Sequence, residues 1–94
     1  MIIFDRGERK HVPIEVVSRK GESFDILKAK YELIYTADGV TESSGLCDII
    51  VHKIDALIEP KKTGIYLLRY TYEVADEILI ENMELRVYDG NLKN

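Results

Sequence analysis

Tryptophan is missing from this sequence, and cysteine occurs once, at Cys47. A single cysteine forbids an intrachain disulfide, so nothing staples the core covalently. Small secreted β-domains often carry such a bridge, and its absence points to folding in a reducing compartment. Neither CxxC nor HxxxH occurs, and with His11 and His52 as the two histidines the ligand spacing of a zinc site is absent. There is no glycine-rich phosphate loop. Ser43 and Ser44 lack the G-x-S-x-G setting of a nucleophilic serine. No apolar run approaches the roughly 20 residues of a membrane span. The start, Met1 to Arg6, is too short and too soon charged for a signal peptide. The expectation is a soluble protein that stays in the cytoplasm during any assembly and has no membrane partner.

A charge of one sign is also lacking. The formal net charge of −4 comes from 17 acidic and 13 basic residues that are interspersed along the chain. Nucleic-acid binding needs a basic stripe to displace condensed counterions. Arg9-Lys10, Arg19-Lys20 and Lys61-Lys62 are too sparse for one and read as solvated turns. With 94 residues, 46% of them apolar, the chain reads as one globular domain, 1–94, with a single core.

What the sequence does have is alternation. Side chains of a strand point to opposite faces in turn. Over Gly64 to Val74 one face carries Tyr66, Leu68, Tyr70, Tyr72 and Val74. The other carries Ile65, Leu67, Arg69, Thr71 and Glu73, apolar at first and then polar. Leu27, Ala29, Tyr31, Leu33 and Tyr35 alternate with Lys28, Lys30 and Glu32, a strand packed on one side. Met83, Leu85 and Val87 alternate inward with Asn82, Glu84 and Arg86 outward, after a turn at Asp76-Glu77. Ile2 to Phe4 reads as a short edge strand. Val12, Ile14 and Val16 alternate with Pro13, Glu15 and Val17 as a second strand, in which Pro13, lacking an N–H, fits an edge strand or a bulge better than a central strand. Arg19 to Glu22 reads as a turn, and the tail from Asp89 to Asn94 as frayed. Asp38-Gly39 reads as a tight hairpin turn, and Thr41 to Gly45 as a second turn or a connecting strand. In Leu46 to Val51, a strand would turn Cys47, Ile49 and Val51 inward. Ile54, Leu57 and Ile58 have helical spacing, which predicts a single helical turn ended by Pro60. Turn signals recur about every ten residues, the rhythm of an antiparallel sandwich.

Few of the polar residues suggest chemistry. His52 beside Asp48 or Asp55 sketches an acid/base pair, but a surface or structural histidine is the simpler reading. Cys47, inside an apolar run, reads as a buried inert thiol. Asp76, Glu77 and Glu81 read as solvated acids, since no ordered calcium loop accompanies them. No catalytic residue, metal or organic cofactor is expected. The six tyrosines favour core and sheet-face packing, with an interface as the functional alternative. A sugar platform would more typically include tryptophan.

The segment Thr63 to Leu68, TGIYLL, carries a G-x-Y-x-apolar pattern. It resembles the start of strand F in immunoglobulin-like sandwiches, where a tyrosine locks a corner by bonding back to upstream backbone. The resemblance makes Tyr66 that corner tyrosine, bonded near Glu59 to Thr63. Leu68 stands where a cysteine would follow, so aliphatic packing replaces the disulfide core and an antibody-type domain is excluded. A wider likeness runs from the turn GERKH into VPIEVV, then through LKAKYELIY with its DG turn, GLCDIIV, KKTGIYLLRYTYEV and NMELRVYD. This order is similar to small immunoglobulin-like modules of tailed-phage and prophage structural proteins, such as the N-terminal domain of siphophage baseplate proteins.

That resemblance implies an all-β, antiparallel immunoglobulin-like sandwich of about seven short strands. It also implies a non-enzymatic role in a virion tail, baseplate or connector. The partners would be proteins, either copies of the chain in a homo-oligomer or other virion subunits. Tyr35, Tyr66, Tyr70 and Tyr72 are the residues for the corner and the interface. A sandwich that binds a small molecule or carbohydrate is the alternative.

Overall fold

The structure, a computed structural model, describes residues 1–17 and 23–90. The turn read at Arg19 to Glu22 and the end of the polar tail fall outside that range. Among the described residues there are eight strands and no α-helix: β1 (Ile2–Asp5), β2 (Lys10–Glu15), β3 (Ile26–Tyr35), β4 (Val40–Leu46), β5 (Asp48–Ile50), β6 (Lys53–Ile58), β7 (Gly64–Val74) and β8 (Glu77–Tyr88). They form two sheets, a five-stranded one in the order β1-β8-β7-β3-β4 and a three-stranded one in the order β2-β6-β5. The all-β, two-sheet expectation therefore holds, with one strand more than about seven. The pairing is not antiparallel throughout, because β1 runs parallel to β8.

The core lies between the inner faces of the sheets. β7 contributes Tyr66, Leu68, Tyr70 and Tyr72, and β3 contributes Ala29 and Leu33. β8 adds Leu85 and Val87, β1 adds Phe4, and the smaller sheet supplies Val12, Ile14, Ile54, Ala56 and Ile58. Each large apolar side chain that is fully buried stabilises the fold by roughly 1.5–3 kcal/mol. The alternation in β7 maps directly onto this layer, because β7 is flanked along its whole length by β3 and β8. Pro13 sits on β2, an edge strand, where its missing N–H leaves no ladder bond unmade.

Three expectations fail for local reasons. The helical turn over Ile54 to Ile58 is instead β6, with Ile54, Ala56 and Ile58 buried at strand spacing. Leu27 is exposed, because a register shift between Ile26 and Lys28 puts Ile26 inward in its place. Ile49 and Val51 do not face inward either. β4 crosses to the smaller sheet through Cys47, whose N–H bonds the Ala29 carbonyl at 2.9 Å, and the short β5 that follows is exposed. Val51 occupies the turn between β5 and β6 and is 76% exposed.

The turns follow backbone chemistry. Gly39 has a φ of 70° and closes the β3–β4 hairpin by donating its N–H to the Tyr35 carbonyl at 2.8 Å. The β7–β8 turn falls one residue earlier than expected, on Ala75 and Asp76, with Val74 paired to Glu77. Ala75 and Val51 have φ of 55° and 56° at the first position of two-residue turns, where glycine is the favoured residue.

The molecule is long, at 49 × 26 × 20 Å. Its radius of gyration is 14.6 Å, against roughly 12 Å for a compact chain of this length. The β7–β8 hairpin, with strands of 11 and 12 residues, accounts for much of that length.

Candidate functional site

At one end of the sandwich the polar groups are spent on structure. Tyr66 lies at the start of β7 with its ring fully buried. Its hydroxyl accepts a bond from the Lys62 N–H at 3.0 Å and donates to Glu42 Oε1 at 2.7 Å. Glu42 Oε2 accepts in turn from the Lys61 N–H at 3.1 Å. The Tyr35 hydroxyl donates to the Thr63 carbonyl at 2.6 Å, and its ring tilts against Tyr66 with centroids 4.9 Å apart. Gly64, at a φ of 126°, lets this happen, since a Cβ there would lie 2.9 Å from the Tyr35 hydroxyl. Burial first, then the bond to Glu42, raises the Tyr66 phenol from 10 to about 12.

Tyr70 and Tyr72 are also inside. The Tyr70 hydroxyl donates to the Val12 carbonyl of the opposite sheet, and burial raises the pKa of both phenols. Of the four tyrosines singled out in the sequence, Tyr35 alone is half-buried rather than buried. Their rings fill the core and its corner.

Among the described residues, reactive groups do not converge. His52 stacks on Phe24 with centroids 4.1 Å apart and places Nε2 3.0 Å from the Phe24 carbonyl. It is His11, not His52, that meets Asp55, donating from Nδ1 to Oδ2 across 2.6 Å. Cys47 is half-buried, and desolvation, reinforced by Asp55 and Asp48, pushes its thiol from 9 to about 11. That shift disfavours the thiolate. No group of three or more histidine, cysteine or acidic side chains able to hold a metal exists among the described residues.

The opposite end differs. Leu27, Leu46, Ile49 and Ile78 line an open groove of about 780 Å³, floored by Ala29, Cys47 and Tyr72, with Lys28, Lys30 and Glu73 beside them. Leu46 is 85% exposed and Ile78 is 69% exposed. The surface continues along β8. Ile78 and Ile80 lie on the outer face of the sheet, opposite Glu73 and Thr71. Leu79 lies on the inner face opposite Tyr72, yet it too is exposed. The third side of this segment is also open. β1 pairs with β8 only from Leu85 to Tyr88, so among the described residues no strand covers the outer edge of Glu77 to Glu84.

Sequence reasoning placed Ile78 to Tyr88 on a strand but not this exposure. The signal was available in ILI, three consecutive apolar residues in a strand that elsewhere alternates. Comparison with protein families, with curated proteins and with solved structures finds no match for this chain.

Proposed function

We propose that the chain is an immunoglobulin-like β-sandwich acting as a non-enzymatic contact module, a structural subunit of a larger protein assembly. The order β1-β8-β7-β3-β4 facing β2-β6-β5 supports the topology. Antibody variable-type domains likewise widen the sheet of their last two strands with extra strands. The Tyr66 hydroxyl bonded to backbone four residues upstream is the matching corner. The observation that carries the function is the exposed run Ile78 to Ile80 on a sheet edge that no other described strand covers. Apolar side chains clustered on such an edge mark an interaction site or an aggregation hazard. The setting, a phage or prophage tail, baseplate or connector, rests on the sequence resemblance, and places the protein in the cytoplasm during assembly and then in the virion.

Sedimentation of the pure protein over a concentration series, then with tail and baseplate subunits, tests this reading. Association without added metal or cofactor is expected. Strictly monomeric behaviour throughout, with a specific hit in a sugar or small-molecule screen, turns the assignment to the second reading. One observation favours that second reading, in which the sandwich binds a ligand: the groove falls within the roughly 300–1,000 Å³ typical of ligand sites.

A further inference from the structure

The open edge of β8 carries more information than its exposure, and its role as a selective docking site rests on the contact-module reading. Between Tyr70 and Leu85 the hairpin holds Glu73, Asp76, Glu77, Glu81 and Glu84 and not one lysine or arginine. Lys28 is the cross-strand neighbour of Glu73, but on β3, two strands away from the open edge. The edge therefore combines three properties over the same residues. It has backbone N–H and C=O groups without a neighbouring strand among the described residues, apolar side chains on both faces, and negative charge of one sign.

We infer that the edge from Glu77 to Glu84 is a docking site for an extended segment of a different protein, one that alternates apolar residues with lysine or arginine. Backbone pairing gives such a segment its affinity, and the side chains on either face set its choice. Ile78 and Ile80 meet the apolar residues of the incoming strand on the outer face. Its basic residues fall on the inner face, where Glu77 and Glu81 lie to either side of Leu79, an arrangement that opposite-charge cross-strand pairs favour.

The same charges argue against a second copy of the edge. In an antiparallel self-pairing centred on Leu79, Ile78 faces Ile80 well, but Glu77 then sits directly opposite Glu81 twice over. Like charges in that position destabilise the pair. The edge is thus selective by repulsion as well as attraction.

The probe is a nonapeptide of alternating lysine and valine, titrated into the isotopically labelled full chain, with amide hydrogen exchange and chemical shifts read residue by residue. Three controls accompany it: the glutamate–valine counterpart, the lysine–valine peptide N-methylated at every residue, and the double variant Ile78→Lys with Ile80→Lys. The expected result is slowed exchange at alternate amides between Glu77 and Glu84 with the lysine–valine peptide alone. The double variant should weaken binding roughly tenfold or more, since lysines then replace the apolar partners of the peptide's valines and add charge of the peptide's own sign. A separate Leu57→Lys variant, at an exposed position on β6 of the smaller sheet, should leave it unchanged.

Equal binding of the N-methylated peptide would reduce the effect to charge and overturn the inference. So would protection of β4 instead of β8, or no binding by any peptide. Protection of Glu77 to Glu84 that grows with protein concentration in the absence of peptide would overturn it in favour of self-pairing. Each of these leaves the contact-module reading to its own sedimentation test.

Discussion

Tyr66 bonds in two directions, accepting from Lys62 and donating to Glu42, so its hydroxyl joins the β6–β7 connection to β4. Tyr66→Phe removes both bonds and should lower stability by about 1–3 kcal/mol, the range spanning neutral and charge-assisted bonds. Urea denaturation measures this, and an unchanged midpoint would deny the hydroxyl its role. The same group makes stability depend on alkaline pH. Its folded pKa lies above its unfolded value, so its contribution is fully present below pH 10 and is lost as pH rises towards about 12. Cys47 acts in the same sense, from 9 towards about 11. At pH 8 its thiolate is then about one part in a thousand, against roughly one in ten for an unshifted thiol. Alkylation of the folded protein should accordingly be about a hundredfold slower than that of the unfolded chain. A fast reaction at pH 8 would mean that the Cys47 environment is different.

At the scale of the element, two turns carry side chains where glycine fits better. Val51 is β-branched at a φ of 56° and mostly exposed, so Val51→Gly relieves strain and forfeits little burial. A gain of about 0.5–1 kcal/mol is expected after the entropic cost of glycine, read from the thermal midpoint. Gly64→Ala goes the other way, by about 2–4 kcal/mol, because the new Cβ meets the Tyr35 hydroxyl at a φ that alanine disfavours.

The elements also divide by how far the sequence revealed them. β7, and β3 beyond its bulge, were legible because inner positions there are large and apolar, and outer ones polar from Arg69 onward. β6 was hidden because Ala56, its middle inward residue, is small, while Leu57 outside it completes a false helical period. The Leu27 bulge left no mark, since Ile26 and Leu27 are equally apolar and backbone pairing alone decides between them. The exposed ILI segment was readable as a strand, but its openness depends on where β1 stops, a tertiary fact. The corner bond of Tyr66 was legible in range, whereas its Glu42 partner, 24 residues away, was not.

Across the whole molecule, cover is uneven. β7 lies at the centre of the larger sheet with both neighbours in place, while β4, β5 and the first half of β8 sit at edges. Amide exchange should therefore be slowest from Tyr66 to Tyr72 and markedly faster from Glu77 to Glu84 in the free protein. Uniform protection across β7 and β8 would mean that something already covers the outer edge.

The parallel pairing of β1 with β8 has a mechanical consequence. Ile2 lies beside Leu85 and Asp5 beside Tyr88, and the Arg6 N–H bonds the Tyr88 carbonyl at 2.7 Å. Tension applied through the two chain ends runs along these strands in opposite senses and loads the whole clasp in shear, so its bonds must fail together. Tension applied through the N-terminal end and the β7–β8 turn at Ala75 folds β1 back from Ile2 and opens the same bonds one at a time. A single molecule stretched between its ends should rupture at the higher force, and Phe4, buried beneath the clasp, is the residue whose truncation to alanine should lower that force most.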